Sequence, residues 1–138
     1  MPARSSFDYA VVRVVPRVES GEFVNVGVIV SCDATDSLAA RIELDPERVL
    51  ALDPGADIET IRTALGAIDA VCAGDGAAGS LARLSARERF HWLVAPRSAV
   101  IQTSPVHTGR TREPAAVIDH LFETMVGGPR QAADPAGG

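Results

Sequence analysis

Two stretches of the sequence concentrate residues that could do chemistry. Within nineteen residues the chain places Arg89, His91, Trp92, Arg97, Ser98, Gln102, Ser104 and His107. An imidazole titrates near neutral pH, so His91 and His107 can serve as acid and base while arginines hold a phosphate without a metal. That is the equipment of a metal-independent phosphoester hydrolase or nuclease. The competing reading is structural. In it His91 and Trp92 cap the core, Arg97 and Gln102 satisfy backbone groups, and Ser104–Gly109 is a rigid turn. No carboxylate or nucleophile is spaced to complete a catalytic set. Ser98 and Ser104 lack the GxSxG setting of a hydrolase nucleophile. His91, His107 and His120 have no metal-ligand spacing, so neither metal nor cofactor is expected.

The second set lies nearer the start. Arg13, Arg17, Asn25, Gly27, Arg41 and Glu43 fall on the parity opposite a valine-rich face. Guanidinium forks bind carboxylate or phosphate through paired hydrogen bonds, and Asn25 can orient a polar ligand. Gly27 leaves room for one to approach the backbone. The competing reading is a solvated sheet face laced by cross-strand Arg–Glu pairs. The site reading expects Arg13, Arg17 and Asn25 to converge with Arg97, Gln102 and His107 in one polar pocket. Glu22, Arg89, His91, Trp92, Ser98 and Ser104 are its secondary contributors. Crowded arginines repel one another, so such a pocket needs an anion, or Glu22 and Glu43, to neutralise it.

The elements that must position these residues follow from periodicity. Alternation over Phe7–Val18, Phe23–Cys32 and Leu38–Leu44, broken by two polar turns, predicts three strands of an antiparallel meander. Val24, Val26, Val28, Val30 and Cys32 share one expected face, and Pro16 marks the end of the first strand as an edge or bulge. Asp45-Pro46 opens a short helix through about Leu52. Asp57 caps a longer one with Ile58, Ile61, Leu65, Ile68 and Cys72 on one stripe. Ser85 and Glu88 form a capping box for a third helix, which Pro96 stops. Ala99–Ser104 reads as a fourth strand and Pro105–Thr111 as a loop. Pro114 opens a last helix with Val117, Leu121, Phe122 and Met125 inward.

The expected fold class is α+β, an antiparallel sheet of about four strands with helices packed on one face. One continuous core is expected to join Val12, Val14, Val26, Val28 and Ile42 to Ile61, Leu65, Ile68, Leu121 and Phe122. A single domain is expected over 1–127, with the Gly-, Pro- and Ala-rich residues 128–138 a disordered tail. Gly74–Gly79 matches GxGxxG, but it follows a helix and not a strand. It reads as a helix C-cap and loop, not a dinucleotide site.

Composition narrows the functional classes. The 138 residues carry thirteen arginines, no lysine and eighteen Asp plus Glu, for a net charge of −5. Without lysine there is no P-loop phosphate lysine and no Schiff-base chemistry. The negative balance argues against nucleic acid and acidic membranes as partners. No apolar run reaches the ~20 residues that span a bilayer. Met1–Ser6 lacks the apolar segment of a secretory signal, so a cytoplasmic location is expected. Cys32 and Cys72 stand forty apart with no CxxC pair, which leaves both as small buried hydrophobes.

Two blocks carry a resemblance. Phe7-Asp8-Tyr9-Ala10-Val11-Val12-Arg13-Val14-Val15-Pro16-Arg17-Val18-Glu19, followed by Glu22-Phe23-Val24-Asn25-Val26-Gly27-Val28, resembles the opening of the Domain of Unknown Function 3037 family. Arg89-Phe90-His91-Trp92-Leu93, Ala95-Pro96-Arg97-Ser98, Gln102 and Ser104–Gly109 resemble that family's other signature. The likeness runs from about Phe7 to Val126 and implies no activity. It does imply a partner, a HipA-type kinase often encoded beside family members. The favoured expectation is a small non-enzymatic binding module with an arginine-rich pocket for an anionic small molecule or a kinase-type partner. The alternative is the hydrolase or nuclease working through His91 and His107.

Overall fold

Valine-rich alternation folds into antiparallel strands. In the computed structural model, which describes residues 4–96 and 99–127, β1 runs Ser5–Val14, β2 Val24–Cys32 and β3 Ser37–Ile42. β4 (Ile101–Thr103) and β5 (His107–Thr111) follow each other along the edge of β1 that β2 does not use. The sheet is therefore ordered β3-β2-β1 with β4 and β5 sharing the last lane, all antiparallel. The chain is α+β, as its periodicity predicts. β5 corrects the reading of Pro105–Thr111 as a loop. His-Thr-Gly-Arg-Thr shows no apolar alternation because it is an exposed edge strand, held by its ladder to β1 and not by burial.

The helices start where their caps place them. Asp45 accepts from the Glu47 N–H at the head of α1 (Pro46–Leu52), and Asp57 from the Thr60 N–H at the head of α2 (Ile58–Ala73). The Ser85/Glu88 capping box opens α3 (Ala86–Leu93). Gly74, at φ 67°, ends α2 in the left-handed region, and a 3-10 segment follows at Gly76–Arg83. α4 (Pro114–Phe122) runs on into a π-helical turn, Glu123–Gly127.

Helices cover both faces of the sheet, which corrects the one-face expectation. α1, α2 and α3 pack on Val12, Val14, Val24, Val26 and Ile29, whereas α4 packs on Val11, Val28 and Val30. The core is two clusters divided by the sheet, so Leu65 and Val28 never belong to one apolar body. A β-bulge causes this. The β1–β2 register steps from Val12 opposite Gly27 to Arg13 opposite Asn25, which leaves Val26 as the extra residue. Val24 and Val26 consequently face α2, while Val28 and Val30 face α4. Gly27 is required for closeness between strands and not for ligand access. A Cβ there would lie 2.6 Å from the Arg41 carbonyl oxygen and 2.7 Å from Ile42 Cγ1. No helix among the described residues is long and apolar enough to cross a membrane. The expected tail, 128–138, lies outside the described residues.

Candidate functional site

Three of the six expected pocket residues stand in one row. Arg13 on β1 is flanked by Asn25 on β2 and Gln102 on β4, all on the α4 face. Each is engaged by its own surroundings. The Arg13 guanidinium lies 4.2 Å over the Phe23 ring, Asn25 Nδ2 donates to the Met125 carbonyl (3.1 Å), and Gln102 Nε2 donates to that of Ala99 (2.8 Å). Arg13 Nε and Asn25 Oδ1 are buried without a hydrogen-bond partner among the described residues. His107 shares this face but pairs with Tyr9, about 13 Å along β1, where its ring sits 5.3 Å from the tyrosine's. Arg17 lies in the turn after β1 and pairs with Asp53 at 3.6 Å. Arg97 and Ser98 lie outside the described residues.

The secondary residues disperse further. Ser104 is buried and ties the link between β4 and β5 to β1. Its hydroxyl accepts from the Val11 N–H (2.9 Å) and donates to the Pro105 carbonyl (2.9 Å), while its own N–H donates to the Val11 carbonyl (2.8 Å). The pairing with β1 steps by one residue between Thr103 and His107, and the serine side chain supplies the ladder bond lost there. Arg89 donates to the Leu84 carbonyl (3.0 Å) beside the end of α2. Glu22 is exposed in the turn before β2. His91 and Trp92 are exposed on α3, across the sheet from the face that carries His107. The two imidazoles therefore share no cleft.

Two charged networks fasten helices to the sheet. Asp8 accepts from the Thr108 hydroxyl (2.6 Å) and pairs with Arg87 (2.7 Å), which also donates to the buried Ser31 hydroxyl (3.2 Å). The Thr108 hydrogen bond, followed by Arg87 and His91, holds the Asp8 carboxyl below the usual carboxylate range against the opposing effect of burial. On the other face Arg41 lies 4.1 Å over Phe122 and pairs with Asp119 (2.9 Å) and Glu43 (3.2 Å), pinning α4 to β3. The Cys72 thiol is pushed up to about 12 by burial, with Asp69 adding to the shift and Arg89 partly offsetting it.

The arrangement that sequence reasoning missed lies where β5 meets α4. A cleft of about 510 Å³ is lined by Arg4, Arg110, Arg112, Glu113 and His120, with Phe7, Val117 and Leu121 among its apolar walls. Arg110 stands opposite Ser6, Thr111 opposite Ser5 closes the ladder, and Arg4 and Arg112 follow just beyond its end. Arg17, Arg41, Arg62 and Arg87 each have a carboxylate partner. Among the described residues, none of the three arginines at this cleft does. Like charges gathered at one cleft are unfavourable, and an anion between them removes the penalty. The signal was present as arginine, threonine, arginine at 110–112, but it is visible only once that segment is a strand.

The fold is that of an α+β protein with a five-stranded antiparallel sheet, helices on both faces and an edge cleft lined by three arginines and Glu113. The chain belongs to the family described as Protein of unknown function (DUF3037), which matches residues 9–126. No curated protein and no solved structure matches it. Arg110, Arg112 and His120 fall inside the matched span, and Arg4 and Phe7 just before it.

Proposed function

We propose that the chain is a binding module for an anionic ligand whose charge sits in the β5–α4 cleft. One observation carries the reading: three arginines line a single cleft without an ion-pair partner among the described residues. The chain has eighteen Asp plus Glu, and it uses some of them to pair Arg17, Arg41, Arg62 and Arg87. Here it leaves a positive patch against a net charge of −5, a pattern that favours a ligand bringing its own negative charge. A volume of about 510 Å³ lies in the range of small-molecule sites. The row of Arg13, Asn25 and Gln102 supports the reading less, because it brings together one arginine where the edge cleft has three, and that arginine lies over the Phe23 ring.

Inorganic pyrophosphate and citrate titrated against the protein test the reading, with melting temperature and calorimetric heat as readouts. At a hundredfold excess over Kd a ligand stabilises the fold by about 2.7 kcal/mol, a shift of several degrees. The paired substitution Arg110→Gln, Arg112→Gln should abolish that shift while the variant alone melts no lower than the parent. A parent that responds to neither anion, or a variant that keeps the response, refutes the reading.

A further inference from the structure

Resting on that reading, we infer that the ligand is amphipathic, a phosphate or carboxylate head carrying an unbranched apolar chain. The cleft that holds the arginines ends against Phe7 and Val117. The same two residues form the near wall of a second groove, of about 320 Å³, that continues past the first turn of α4. That groove is lined by Val30, Cys32, Ala39, Ala115 and Ile118 among others, and among the described residues no charged one lines it. A bare inorganic anion would satisfy the guanidinium groups and leave the groove wetted. A head with an apolar chain matches both halves at once.

Phe7 is fixed as the divide. A Cβ on Gly109 would fall 2.5 Å from its ring, so the phenyl lies directly over that glycine, with the Tyr9 ring 6.0 Å behind it. The chain of a bound ligand would pass over this ring edge, with its head at Arg4, Arg110 and Arg112.

Butyl, hexyl and octyl phosphate, each below its micelle concentration, test the inference beside inorganic phosphate and pyrophosphate. Hexanoate and octanoate form the carboxylate arm. Affinity should rise about four-fold per methylene, the increment expected for burying one in an apolar site, until the groove is filled. The variant Ala39→Gln, Ala115→Gln places two long uncharged side chains at exposed positions in the groove and leaves the arginines intact. It should bind inorganic pyrophosphate as the parent does and lose the chain-length dependence. If the inorganic anions bind and lengthening the chain changes nothing, the anion site stands and the amphipathic ligand is overturned. A chain-length dependence that survives in the variant places the chain elsewhere and also overturns it. If no anion of any kind binds, both readings fall together.

Discussion

Replacing Ser104 by alanine removes one oxygen and tests whether this residue belongs to the fold or to a site. Its hydroxyl is the hydrogen-bond partner of the Val11 N–H at 2.9 Å, on a strand residue only 5% exposed. Without the oxygen that donor stays buried and unpaired, which costs about 1–3 kcal/mol. The second bond, to the Pro105 carbonyl, adds little because Pro105 is exposed and its oxygen can turn to water. The net expectation is a loss of roughly 2 kcal/mol, or a fall of roughly 5–12 °C in melting temperature for a domain of this size. Ser104→Thr keeps the oxygen and should recover most of the loss. Urea unfolding followed through the single tryptophan, Trp92, reads the free energy, and amide hydrogen exchange at Val11 reads the bond itself. An alanine variant within about 0.5 kcal/mol of the parent, with the Val11 amide still protected, would show that the register step between β4 and β5 does not depend on this side chain.

Gly27→Ala should destabilise by about 1–3 kcal/mol in the same urea assay, because its Cβ would press on the Arg41 carbonyl oxygen from 2.6 Å. Val28→Ala and Leu65→Ala, in clusters on opposite faces, should each lose about 2–4 kcal/mol and add within about 0.5 kcal/mol in the double variant. Clear non-additivity would mean a single continuous core. Asp8→Asn should destabilise at neutral pH. Because the folded carboxyl is held below its unfolded value, its contribution is complete above that value and is lost as pH falls through the folded one. The gap between parent and variant should therefore close below about pH 4, and a gap independent of pH would disprove the network's role.

Local chemistry made most of the fold legible. Asp45-Pro46, Asp57 and the Ser85/Glu88 box each satisfy orphan amides of one helix, so their meaning needs no tertiary context. The bulge at Val26 was hidden for the opposite reason. Valines at 24, 26, 28 and 30 look alike whichever face they take, so nothing in the pattern marks where its phase reverses. That reversal is also why α4 has an apolar surface to cover. Of the expected pocket, Arg13, Asn25 and Gln102 were recoverable because register follows parity over short distances. His107 and Arg17 were not, since one is displaced along the strand and the other lies beyond its end. The edge cleft depends on pairing residues about a hundred positions apart, and no local rule reaches that far.

That long-range pairing also sets an order in time. β1 is made first, yet one of its two edges has no partner until β4 and β5 have been synthesised, 93 residues after Val11 in the case of Ser104. The meander of β1, β2 and β3, with α1 to α3 on one face, can form while the chain is still growing. During that interval Val11, Val28 and Val30 lack α4, and the open edge of β1 can accept any extended strand. The vulnerable species for aggregation is thus a nascent chain ending before His107, with its α2-side core complete and its other face bare. A chain truncated before His107 should therefore aggregate under conditions in which the full chain stays dispersed.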